Sequence, residues 1–121
     1  MTLLLHITSR EQWDRARFAG VYRGETLDTE GFIHCSTRSQ VLDVANAHYR
    51  GRRDLVLLCI DSSRVQAPIQ FDTIESGARF PHIYGPLNAD AVIKTVPFLP
   101  GPDGAFDLPS NLPDEPSAAG R

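Results

Sequence analysis

Apolar residues in this chain fall into short runs separated by polar stretches rich in glycine and proline. Residues 3–8 begin Leu3, Leu4, Leu5 and continue His6, Ile7, Thr8, a length and pattern that predict a strand. Ser9 followed by Gln12 matches a capping box opening a helix that runs to about Ala19 with Trp13 and Ala16 on its buried side, and Gly20 stops it. A loop rich in Gly, Asp, Thr and Glu then reaches Gly31, pinned by Tyr22 and Leu27. Residues 32–36 suit a second strand, and Thr37 with Gln40 repeats the capping signature before Val41, Leu42, Val44, Ala45, His48 and Tyr49, a second helix ending at Gly51.

Residues 55–60, LVLLCI, form a continuous apolar run of strand length, which predicts a central strand covered on both faces. Ile69, Phe71 and Thr73 alternate with Gln70 and Asp72, as an amphipathic strand near a sheet edge should. Residues 80–84 and 92–96 supply two further strands, with a turn at Gly85, Pro86 and Asn88 between them. Beyond Pro100 the composition turns to Pro, Gly, Asp and Ser, so one domain over residues 1–109 with a flexible tail at 110–121 is expected.

Composition narrows the function classes. A chain of 121 residues, 41% hydrophobic and 22% charged, has ordinary globular character and enough length for one core. No apolar run approaches the roughly 20 residues of a membrane helix, and Met1 is followed by no export signal, which predicts a cytoplasmic protein without a membrane partner. In that compartment Cys35 and Cys59, both inside apolar segments, are expected as reduced core thiols. Net charge is -3 and the basic residues are scattered apart from Arg50, Arg52 and Arg53, so nucleic acid is not the expected partner. The oligomeric state is not legible.

Candidate chemistry lies in three strands with one phase. Because strand side chains alternate faces, His6 and Thr8 share a face, as do His34 and Ser36, and His82 and Tyr84, each opposed by apolar neighbours. If the three strands are neighbours, that face is a polar floor of groups able to donate, accept and shuttle protons. A single strand histidine is more often a hydrogen-bonded structural residue; three in phase favour a site. His48 is expected in a packing or helix-end role. His34 and Cys35 point to opposite faces and cannot share an ion, and no zinc-motif spacing is present, so no metal is expected.

The segments GFIHCST at residues 31–37, DLVLLCID at 54–61 and FPHIYGPL at 80–87 closely resemble the bacterial domain-of-unknown-function family 952. That family looks related to the ADP-ribosyltransferase superfamily. The resemblance implies an α+β single domain with a small twisted mixed sheet, split or half-barrel, and two main helices. It implies NAD, or a related nucleotide, as a small-molecule ligand. In poly-ADP-ribose polymerase catalytic domains a first strand carries a ribose-binding His, which His6 resembles, and the 32–36 strand resembles the nicotinamide-stacking one. A late strand there carries a catalytic Glu, and here it offers His82 and Tyr84, with Glu75 nearby. Transferases that remove a 2'-phosphate from spliced transfer RNA use His and Arg instead, which brings in Arg79 and Arg10. The resemblance therefore implies His34, His82 and Tyr84 as catalytic and His6, Thr8, Ser36 and Arg79 as cofactor-binding. The alternative is a non-catalytic nucleotide or small-ligand module that has lost the Glu, and a third is a structural or partner-binding domain.

Overall fold

The structure is a computed structural model that describes residues 2–113. Strand β1 (Leu3–Ser9) leads into helix α1 (Arg10–Ala19), followed by β2 (Val21–Tyr22), the short helix α2 (Leu27–Glu30) and β3 (Ile33–His34). Helix α3 (Val41–His48), β4 (Leu55–Asp61), β5 (Ile69–Thr73), β6 (Arg79–Ile83), β7 (Leu87–Asn88) and β8 (Val92–Phe98) complete the order. The chain is a small single-domain α+β protein. Three antiparallel sheets have strand orders β1-β4-β8, β2-β7 and β3-β6-β5. The expected single mixed sheet is therefore corrected: every ladder among the described residues is antiparallel. Only β5 and β6 among the paired strands are consecutive in the chain, so most of these ladders join segments distant in sequence.

The central sheet explains the core. In β4, Val56 through Ile60 are fully buried between β1 and β8, as the uninterrupted apolar run requires. Odd and even residues feed two different clusters, following the strand repeat of two. Leu3, Leu5, Leu55 and Leu57 pack with Val41 and Ala45 of α3 and with Phe98 and Phe106, whose rings stack at 4.6 Å. Leu4, Val56, Leu58 and Ile60 pack with Trp13 and Ala16 of α1 and with Ile33, Cys35 and Ile83. Each fully buried aliphatic side chain contributes about 1.5–3 kcal/mol relative to exposure, so the two clusters clamp the central sheet from both sides.

Both capping boxes form by halves. Ser9 Oγ accepts the Gln12 N–H at 3.1 Å, and Gly20, at φ 85°, ends α1 in the left-handed region that glycine tolerates. At the second, the Gln40 side chain accepts the Thr37 N–H at 3.0 Å, but α3 itself begins one turn later, at Val41. The expected loop before Gly31 holds β2 and α2, and the expected turn after Tyr84 holds β7, which pairs with β2 through Tyr22 and Leu87. Neither two-residue strand is long enough to show a period. Leu112 packs into the first cluster, and the expected tail beyond residue 113 lies outside the described residues. Cys35 and Cys59 are free and buried. Among the described residues no helix is long and apolar enough to cross a membrane.

Candidate functional site

A cleft of about 560 Å³ opens along the free edge of β1. Among the described residues, Leu5 and Ser36 make the one backbone bridge between β1 and the segment that follows β3, through two hydrogen bonds of 2.8 Å. His6, Thr8, His34, Ser36 and His82 all line the opening. The three histidine-bearing strands are thus neighbours across two sheets: β3 and β6 pair His34 with His82 directly, while β1 joins by its bridge. Leu5 spends its N–H and C=O on Ser36, so the strand repeat turns the N–H and C=O of Ile7 to the same edge, where Ile7 lines the cleft.

His6 has both ring nitrogens engaged. Nδ1 donates to the His34 carbonyl at 2.5 Å, and Nε2 meets the Tyr22 hydroxyl at 2.6 Å. Burial pushes this imidazole down to about 4, against the opposing pull of the His34 carbonyl. The Tyr22 hydroxyl continues to Thr8 Oγ1 at 2.9 Å, Thr8 to Gln12 Oε1 at 2.9 Å, and Gln12 Nε2 to Glu25 at 3.4 Å. Burial pushes the Tyr22 phenol well above its usual range. Gly24 supports the ring: a Cβ there would stand 3.3 Å from two Tyr22 atoms, and its φ of 70° already favours glycine.

His82 is held differently. Its ring is buried, stacks on Phe32 at 4.1 Å between centroids, and donates Nδ1–H to Asp72 Oδ2 at 2.7 Å. Tyr84 O–H donates to the same carboxylate oxygen. These two bonds, that from Tyr84 foremost, hold the Asp72 carboxyl below its usual range, and the Tyr84 phenol is raised in turn. A neutral His82 ring with its proton on Nδ1 keeps its lone pair on Nε2, which has no protein partner among the described residues. The His34 ring stands edge-on to that of His82 with centroids 5.1 Å apart, and its Nε2 reaches Glu30 at 3.1 Å.

The remaining expected residues lie elsewhere. Tyr84 does not line the cleft and acts on Asp72; Arg79 is exposed, its guanidinium donating to the Phe71 carbonyl at 3.2 Å. Arg10 and Glu75 are exposed and outside the cleft. Cys35 touches the cleft, yet burial pushes its thiol up to about 12, which removes it as a nucleophile at neutral pH. Among the described residues no group of three or more His, Cys, Asp or Glu could hold a metal. The sequence reading passed over Tyr22, Gln12 and Glu25 as cleft residues, and His48, expected at a helix end, closes α3 and also lines the opening. Arg52 lines it too, over the Tyr49 ring at 5.6 Å and forked onto Asp54. A signal was present at Gln12, whose spacing from Ser9 marked it, but spacing could not say that its side chain turns towards Thr8.

A family model described as "Protein of unknown function (DUF952)" matches residues 7–95. Among solved structures, the crystal structure of protein CC0527 from Caulobacter crescentus is 34% identical, with a TM-score of 0.81 over 88% of this chain and 95% of that one. The solution NMR structure of the same protein is 35% identical, with a TM-score of 0.78 over 89% of this chain and 94% of that one. No curated protein matches the chain.

Proposed function

We propose a function from the cleft itself, because the chain belongs to the DUF952 family, whose description assigns none: the cleft takes a nucleotide-class ligand, NAD or an ADP-ribose-like relative, and the protein acts on it in a transferase-type reaction with His82 as the proton-transferring group. The observation that carries this reading is that His82 lines the cleft with Nδ1 held on the Asp72 carboxylate and with no protein partner for Nε2 among the described residues. A carboxylate that fixes the tautomer and ring of an adjacent imidazole is the arrangement general acid–base catalysis needs.

Size and surface support the ligand class. A cleft of about 560 Å³ falls within the usual range for small-molecule and cofactor sites. The paired N–H and C=O of Ile7 match the acceptor and donor of a carboxamide, such as the one on nicotinamide. Arg52 is the arginine of the lining and suits the phosphate end. NAD, when bound, would supply a ribose carbon whose leaving group is nicotinamide. His82 Nε2 would then accept the proton of the attacking hydroxyl or water, and Asp72 would stabilise the imidazolium formed. His6, with both nitrogens engaged, serves the wall and not the ribose. Under this reading the fold is ADP-ribosyltransferase-like.

The test pairs thermal unfolding with product analysis. NAD, ADP-ribose and nucleoside monophosphates are added in turn; a ligand at ~100 times its dissociation constant adds about 2.7 kcal/mol of stability. Nicotinamide release by the wild type, lost in His82→Ala and reduced in Asp72→Asn, is the expected result. A melting shift without release would make the chain a non-catalytic binding module, and no shift with any of these compounds would end the nucleotide reading.

A further inference from the structure

The hydrogen-bonded chain from His6 to Glu25 admits only certain proton placements. His6 Nδ1 faces a carbonyl and must carry a proton. Between His6 Nε2 and Gln12 Oε1 there are three contacts, His6 to Tyr22, Tyr22 to Thr8 and Thr8 to Gln12. Two hydroxyls supply only two protons for them, so the third must come from an end.

We propose that Glu25, acting through Gln12, Thr8 and Tyr22, strengthens the hold of His6 on its second proton and so, in acid, raises the positive charge that the cleft presents to a ligand. In one arrangement His6 is protonated on both nitrogens, Nε2–H donates to Tyr22, Tyr22 to Thr8, Thr8 to Gln12 Oε1, and Gln12 Nε2–H to the Glu25 carboxylate. In the other, the Gln12 amide is turned end for end and its N–H donates to Thr8, Thr8 donates to Tyr22, and Tyr22 to a neutral His6 Nε2. The proton that left His6 then sits on Glu25, bridging to Gln12 Oε1, or has gone to solvent while Glu25 swings away. Protons balance in each case: the second proton on His6 and the donated contact from Gln12 to Glu25 are present together or absent together. The chain runs from a partly buried ring to an exposed carboxylate, so its outer end can exchange with water while its inner end lines the cleft.

Besides Glu25, the titratable groups that line the cleft with His6 are Tyr22 from β2, His34 and Cys35 at and beside β3, His48, Tyr49 and Arg52 at and beyond the end of α3, and His82 from β6. None but Tyr22 and the His34 carbonyl bonds its ring. Glu25 is thus a positioning residue that acts through others, with no contact to His6 itself.

The experiment is an NMR titration of the His6 ring in the full chain without ligand, so its outcome is separate from whether NAD binds. Glu25→Gln removes the negative end of the chain and should lower the His6 midpoint by about one pH unit. Gln12→Glu moves a carboxylate one residue closer and should raise it by about as much. Both side chains are partly or fully exposed, and unchanged backbone spectra would report that each variant is folded. A downward shift in the first together with an upward shift in the second supports the proposal; any other pair of results overturns it.

Discussion

His6 and His82 line the same cleft and are held in opposite ways. His6 has each nitrogen committed to the protein, one to a carbonyl and one to a buried phenol, and its proton affinity is reduced by burial. His82 has one nitrogen on a partly exposed carboxylate and the other left free. The same side chain, placed in phase on neighbouring strands, is tied down at both nitrogens in one case and at only one in the other. What separates them is the number of partners that the surrounding loops bring: β2 carries Tyr22 over His6, and the edge strand β5 offers Asp72 to only one side of His82.

The largest expected effect tests that division directly. His82→Gln should lower turnover of the cleft's substrate by 10²–10⁴-fold, the usual contribution of general acid–base catalysis, and urea unfolding should show a loss of about 1–3 kcal/mol as well, because the buried ring gives up its bond to Asp72. Tyr22→Phe should cost a similar amount of stability, about 1–3 kcal/mol, because His6 Nε2 and Thr8 each lose a buried partner, while turnover changes far less than in His82→Gln. If Tyr22→Phe abolished turnover and left stability intact, the assignment of wall and base would be exchanged.

A pH series sharpens the same contrast. The unfolded imidazole of His6 takes its proton near 6.5 and the folded one at about 4. Between those values the unfolded chain binds more protons, so stability rises with pH there. Acidification from pH 6.5 to 4 should therefore destabilise the wild type progressively, with the loss from this group levelling off below 4. In His6→Gln that slope should shrink. Smallest of all is Glu30→Gln: the side chains of His34 and Glu30 are each 49% exposed, and such pairs contribute about 0–1 kcal/mol. A clear loss of stability in that variant would show that His34 is held as firmly as His6.

Much of this arrangement was legible before the fold. The LVLLCI run named the central strand because burial on both faces leaves no polar position, and the shared phase of His6, His34 and His82 followed from the strand repeat of two. Local pattern also ended α1 at Gly20, where the left-handed backbone is cheapest for glycine. Less could be read from β2 and β7, since a two-residue ladder is a contact between distant segments and leaves no periodicity. Tyr84 shared the phase of His82 and still fell outside the cleft, its hydroxyl donating to Asp72 on the neighbouring strand.

By itself, then, the sequence determined which residues alternate, where helices start and stop, and that three imidazoles share one phase, all consequences of backbone geometry over a few neighbours. Tertiary structure alone decided that β1 meets the segment after β3 at the Leu5–Ser36 bridge, beside which the cleft lies. It also decided that Tyr22, Gln12 and Glu25 close around one histidine while Asp72 leaves another half free. Those outcomes depend on how segments far apart in the chain pack, and no local pattern carries that information.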